Sequence, residues 1–405
     1  MSNCLIAQSG GPTSVINSSV VGVYDENLKH RYYDNVYAGI NGIEGILQEN
    51  IINLSDMSYE KIQTLKYTPA SGLGSCRYKL KDFRENDEEY KKLIDILKKL
   101  DVETFLYIGG NDSMDTVHKL SEYVKYANID IKILGIPKTI DNDLPFTDHT
   151  PGFGSAAKFI ATTTLETYLD SSVYINNGIF IIEAMGRDTG WLTASSVLAQ
   201  IDGKPIVDFI YLPEVPFSKE KFIEDVKRRF SEKNQVFIVV SEGIKDKDGN
   251  FVSNMNTGGV HDKFGHAQLG GVCNVLKNWL IQSGVTKRVK TLELGVMQRC
   301  ALHCASKTDI DEAYEVGKAA VSYSIKGKSG YMVGIERVNT EPYVSKAFLI
   351  KASEVANNVK YIPKHWINKE GNNVTEDAFK YALPLIIGTP QVNTEHGLPK
   401  YIKLR

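Results

Sequence analysis

Apolar residues along this chain fall into two kinds of pattern. Short runs, most of them unbroken, occupy residues 4–7, 104–108, 132–136, 179–184, 209–212, 236–240 and 289–294. Runs of this length without polar alternation fit strands covered on both faces, as in a parallel sheet. Between them lie longer stretches with helical spacing, at 88–100, 113–126, 155–169, 219–233, 266–283 and 310–325. The alternation of strand and helix predicts a doubly wound α/β architecture. In such sheets ligands bind beyond the carboxyl ends of the strands, so the chemistry is expected in the turns that follow them. No internal repeat or low-complexity linker breaks the pattern. After about Gly330 short apolar runs mix with prolines and polar turns. That pattern fits both packing on a second domain and an extension.

A length of 405 residues suggests two or three domains. With 42% hydrophobic residues there is apolar material for more than one core. The formal charge of −2 gives no global basic field, so no nucleic-acid partner is expected, and an anionic substrate needs local donors. The five cysteines are odd in number. Only Cys300 and Cys304, with His303 between them, approach metal-ligand spacing, and they lack a second half-site. Reduced thiols in a cytoplasmic protein are the better reading. No basic segment followed by a long apolar one opens the chain, so a signal peptide is not expected. No stretch reaches the ~20 apolar residues that span a bilayer, so no membrane partner is expected either.

Functional groups gather where the runs end. The first run leads into Ser9-Gly10-Gly11-Pro12-Thr13-Ser14. Small residues there let backbone N–H groups approach an anion, although turn geometry alone also accounts for the glycines. Tyr107-Ile108-Gly109-Gly110-Asn111-Asp112-Ser113 repeats the arrangement and adds the Asp112 carboxylate. A carboxylate beside a phosphate cradle is costly unless a cation neutralises it; the competing reading is a helix cap. The third turn, Pro137-Lys138-Thr139-Ile140-Asp141-Asn142-Asp143, is the most informative. Its two carboxylates can share a metal or a substrate hydroxyl, and Lys138 can steady a transferring phosphoryl group. In Glu183-Ala184-Met185-Gly186-Arg187-Asp188, Arg187 can grip a phosphate bidentately or pair with Asp188 on the surface. Ser241-Glu242-Gly243 offers a carboxylate to sugar hydroxyls, and Gln298-Arg299 a second phosphate ligand.

In order along the chain, these residues resemble the 6-phosphofructokinases, specifically the pyrophosphate-dependent branch. The likeness runs from Gly10 to about Gly330, and the segment 137–143 carries it most specifically. It implies two doubly wound Rossmann-like domains with mostly parallel sheets and the active site in the cleft between them. Residues 1–145 and about 298–350 would form the pyrophosphate domain, and 146–297 with about 351–405 the sugar-phosphate domain. Asp141 would be the general base at the sugar 1-hydroxyl. Thr139, Ile140, Met185, Gly186, Arg187, Glu242 and Arg299 would hold fructose 6-phosphate. Gly10, Gly11, Gly110, Ser113 and Arg77 would cradle pyrophosphate. Asp143 would support the metal and phosphoryl site.

The resemblance also implies Mg2+ and a homodimer or homotetramer. The family often carries an aspartate metal ligand where this chain has Asn111, whose amide oxygen can still ligate the ion. Val296 stands where a His or Tyr is usual. Gly178 and Lys290 stand where the family has arginines that reach a neighbouring subunit's sugar phosphate. The donor turns on Asp112 and Lys138, since ATP-using members have glycine at both. Asp112 would put charge and bulk where a nucleotide's α-phosphate lies, and Lys138 would supply charge at the transferring phosphorus. The alternatives are an ATP-dependent phosphofructokinase, a kinase of a seven-carbon sugar phosphate, and a non-catalytic sugar-phosphate-binding subunit. The last would be expected to have lost the base, yet Asp141 and Asp143 are present.

Overall fold

The computed structural model describes residues 2–175, 178–256 and 269–404. Up to residue 351 the strands, in chain order, are β1 (Asn3–Gln8), β2 (Val36–Gly39), β3 (Ile51–Asn53), β4 (Val102–Gly109), β5 (Lys132–Pro137), β6 (Ile179–Ala184), β7 (Gln200–Ile201), β8 (Lys204–Pro205), β9 (Phe209–Tyr211), β10 (Val236–Ser241), β11 (Val289–Glu293), β12 (Tyr331–Thr340) and β13 (Tyr343–Lys351). They form a larger sheet of order β13-β12-β5-β4-β1-β2-β3 and a smaller one of order β11-β6-β10-β9. In the larger sheet β2, β1, β4, β5 and β12 run parallel, with antiparallel strands at both edges. The smaller sheet is parallel throughout.

The unbroken apolar runs arise because both faces of each sheet are covered. Along β1, Leu5 and Ala7 enter one core while Cys4 and Ile6 enter the other. On β4, Phe105 and Tyr107 divide from Leu106 and Ile108 in the same way. In the smaller sheet Phe180 and Ile182 face one core, Ile179 and Ile181 the opposite one. Each fully buried residue of this kind contributes roughly 1.5–3 kcal/mol.

The expected helical stretches appear as Glu88–Lys99, Asn111–Tyr126, Phe153–Ser171, Lys219–Lys233, Val272–Gln282 and Lys307–Ile325. Residues 266–268, part of the expected stretch 266–283, lie outside the described residues. The structure adds elements that the apolar pattern did not announce: the helix Ile16–His30, the edge pair β2 and β3, and the hairpin β12–β13. That helix starts with buried Asn17, Ser18 and Ser19, so its buried face is not an apolar stripe.

The portion after Gly330 divides between the two sheets. The hairpin β12–β13 completes the larger sheet beside β5. Ile362, Ala378 and Leu385 then enter a core of the smaller sheet. Among the described residues no helix is long and apolar enough to cross a membrane.

Candidate active site

Three strands of the larger sheet end side by side: β1 at Gln8, β4 at Gly109 and β5 at Pro137. The turns after β1 and β4 are tied by a hydrogen bond between the Ser9 and Ser113 hydroxyls. Gly109 permits this closeness, since a Cβ there would lie 1.9 Å from Ser113 Oγ. Gly10 adopts φ +75° and keeps open the space in which Lys138 Nζ lies, 3.2 Å from where its Cβ would stand. Lys138 continues from β5 through its N–H bond to the Gly109 carbonyl, 2.9 Å. Its ammonium donates to the Gly11 carbonyl at 2.7 Å, so Lys138 ties all three strand ends together, through its backbone to β4 and its cation to the turn after β1. Burial pushes Lys138 down to about 8, against the attraction of Asp141.

The loop beyond Lys138 carries the carboxylates. The Asp141 N–H donates to Thr139 Oγ1 at 3.1 Å, and its carbonyl accepts from Thr189 Oγ1 at 3.2 Å. Asn142 takes the left-handed φ of +54° between the two aspartates. Burial pushes Asp141 up to about 6, with the Glu242 charge adding and Lys138 and Arg187 opposing. Asp143 rises to about 7, by burial first and then by the Asp141 charge. Its Oδ1 is buried with no hydrogen-bond partner.

The smaller sheet supplies the facing wall. Met185, Gly186 and Arg187 follow β6, Glu242 follows β10, and Arg299 lies just beyond β11. Gln298 Oε1 accepts from the Met185 N–H at 3.0 Å, locking two of these turns together. Glu242 Oε1 accepts from the Gly186 N–H at 3.4 Å. Burial is the largest cause raising Glu242 to about 7, while Arg187 and Arg299 pull the other way. Asp188 pairs with Lys245 at 3.2 Å. Arg299 crosses toward the first wall: a Cβ built on Gly11 would stand 3.2 Å from its Nη1.

Together these turns line a cleft of about 460 Å³. Of the residues expected from sequence, Gly10, Gly11, Arg77, Gly110, Asn111, Asp112, Ser113, Lys138, Thr139, Ile140, Asp141, Asp143, Met185, Arg187, Glu242 and Arg299 all line it. Gly186 stands behind its lining, joined to Glu242. Lys290 does not reach it: it lies in a separate recess with Tyr174 and Arg288. Asn111 lines the cleft, but its amide has other partners. Its Oδ1 accepts from the Asn357 N–H at 2.6 Å and its Nδ2 donates to the Val355 carbonyl at 3.3 Å. Sequence reasoning missed Cys76, Tyr78, Thr116 and Val359 as lining residues. Cys76 and Tyr78 flank Arg77, which was a signal to hand; Val359 carried none.

The cleft carries carboxylates of the kind a divalent cation takes, although among the described residues the one set of such side chains already gathered closely enough to hold an ion is Glu183, Cys273 and Glu293. Asp112, Asp141 and Asp143 line one cleft, and the orphaned Asp143 oxygen is a hard ligand without a partner. The Asn111 amide is the weaker candidate, because its oxygen already accepts a backbone N–H.

Comparison with known proteins gives the family. A family model described as phosphofructokinase matches residues 3–323. The pyrophosphate–fructose 6-phosphate 1-phosphotransferase of Xanthomonas campestris is 42% identical over 100% of this chain and 96% of its own. The enzyme of that name from Halomonas elongata is 40% identical over 99% and 96%. The solved pyrophosphate-dependent phosphofructokinase from Nitrosospira multiformis is similar at a TM-score of 0.89 and 37% identity, covering 99% of this chain and 96% of that one. A family match across most of the sequence, and full-length likeness in both sequence and fold, place the chain in the phosphofructokinase family.

Proposed function

We propose that this protein transfers a phosphoryl group reversibly between pyrophosphate and the 1-hydroxyl of fructose 6-phosphate, giving fructose 1,6-bisphosphate and phosphate. The observation that carries the donor assignment is the Lys138 ammonium at the crossing of three strand ends, with Asp112 lining the same cleft. A compact cation there neutralises charge on a short donor, while Asp112 repels the extra phosphate of a nucleotide.

Gly10, Gly11, Gly110, Ser113 and Arg77 hold the donor in this reading. Thr139, Ile140, Met185, Gly186, Arg187, Glu242 and Arg299 hold the sugar phosphate. The 1-hydroxyl oxygen lies beside Asp141 and attacks the near phosphorus in line. Asp141 takes the hydroxyl proton, the new P–O bond forms, and the bond to the bridging oxygen breaks as phosphate leaves. A base held near 6 is poised for that exchange at neutral pH. Enzymes of this family generally need a divalent metal. Here Asp112 and Asp143 would hold Mg2+, which would neutralise charge on the donor phosphates.

The division into a pyrophosphate domain (1–145 and about 298–350) and a sugar-phosphate domain (146–297 and about 351–405) follows from the same reading. So does a cytoplasmic homodimer or homotetramer, in which Lys290 would serve a neighbouring copy.

The double variant Lys138→Gly with Asp112→Gly tests the donor account. Its rate with pyrophosphate should fall about 100-fold or more, the scale of losing one preorganised charge contact. Its use of ATP should rise above that of the parent. If ATP is still refused once Asp112 is gone, the exclusion argument is wrong.

A further inference from the structure

One lysine far along the chain is built into the catalytic loop, yet lies beyond residues 3–323, which the family model matches. The Lys360 ammonium donates to the Asp148 carbonyl at 2.7 Å, the Thr147 carbonyl at 3.2 Å and Asn142 Oδ1 at 3.2 Å. Its own N–H donates to the Asp143 carbonyl at 2.8 Å. Its carbonyl accepts from Trp191 Nε1 at 2.9 Å, and its ammonium lies 5.1 Å from the Trp191 ring centre. Burial pushes this ammonium down to about 7, so the enclosure works against its charge. A side chain needed only to fill that space would do so better without a charge.

The point of attachment gives the arrangement its meaning. Asn142 separates Asp141 from Asp143 and turns the chain at φ +54°. Its amide is gripped on both sides, Oδ1 by Lys360 and Nδ2 by the Tyr381 hydroxyl at 2.8 Å. Both holders come from the chain beyond residue 355. The same strap, residues 355–362, reaches the donor side through Asn111 and the sugar side through Glu214. There the Ile362 N–H, at 3.3 Å, shares Glu214 Oε1 with the Gly190 N–H, at 2.9 Å.

We infer that Lys360 is a positioning residue for phosphoryl transfer. Acting through Asn142 and the 143–148 backbone, it fixes the turn that sets the directions of Asp141 and Asp143. The inference rests on the proposed reaction for its chemistry but on the loop geometry for its residue. Small displacements of a catalytic group at the reacting atoms cost rate rather than affinity.

The test is steady-state kinetics of Lys360→Met on the full-length protein, with whichever of pyrophosphate or ATP the parent uses and with fructose 6-phosphate. Reading the variant against the parent's own donor separates this inference from the donor assignment. We expect kcat to fall about 100-fold, as for a misplaced catalytic group. Both KM values should stay within about threefold, the range expected when binding contacts remain. Adding Asn142→Gly, which keeps the positive φ accessible, should cost little more than the worse single change. If Lys360→Met does not fold, Lys360→Gln must show the same split between kcat and KM. An unchanged kcat, a loss confined to KM, or fully additive effects of the two substitutions would each overturn the inference.

Discussion

In the proposed mechanism the decisive residues are charged groups held where water is scarce, and their ionisation would set the working range. Asp141 must be ionised to accept a proton, and burial raises it to about 6. Activity should therefore fall as pH drops through that value. Lys138 must be protonated, and burial lowers it to about 8, so activity should fall again as pH rises through that value. The kcat/KM profile reports the free enzyme, so it should be a bell with its top near neutrality. Lys138→Arg places an always-charged group there, and its alkaline limb should move up by more than a pH unit. A limb that stays near pH 8 in that variant contradicts the assignment to Lys138. Asp141→Ser should remove most of kcat while fructose 6-phosphate still binds by calorimetry. Near-normal turnover would end the base assignment.

At the scale of elements, the helices Ile16–His30 and Lys307–Ile325 pack backbone to backbone. A Cβ on Gly22 would lie 2.1 Å from the Tyr314 carbonyl oxygen, and one on Gly317 would lie 2.2 Å from the Ser19 carbonyl oxygen. Neither carbonyl can step aside without shifting a helix, so Gly317→Ala should cost about 1–3 kcal/mol as overpacking. Urea unfolding should show a lower midpoint. Because Ile16–His30 begins just after the Gly10 turn, KM for pyrophosphate should also rise. An unaltered midpoint would mean the helices separate more easily than the geometry allows. This pair explains part of what the sequence concealed. Strands with both faces covered are plain as unbroken apolar runs. In the helix 16–30 the stripe is blurred, because buried Asn17, Ser18, Ser19 and Gly22, which allow close backbone packing, are interleaved with the core residues Ile16, Val20, Val21, Val23 and Tyr24. The exposed edges of the β12–β13 hairpin were hidden for the opposite reason: water on one side dilutes the apolar pattern.

On the scale of the whole molecule, the two sheets contribute opposite walls of one cleft. Turns after β1, β4 and β5 form one wall, the donor side in the proposed reading, and turns after β6, β10 and β11 form the other, its sugar side. Those turns were legible because each concentrates glycine, charge or both directly after an apolar run. The strap at 355–362 was not, since Val359 and Lys360 meet the 141–148 loop only through the fold. Nor could the sequence reveal that the Asn111 amide is occupied by that strap.

The most direct measurement is a coupled assay of the purified chain with fructose 6-phosphate and Mg2+, supplied with pyrophosphate or with ATP. Turnover with pyrophosphate, with ATP slower by about 100-fold or more, is the expected result. Ready consumption of ATP with pyrophosphate ignored would contradict the donor account built on Asp112 and Lys138.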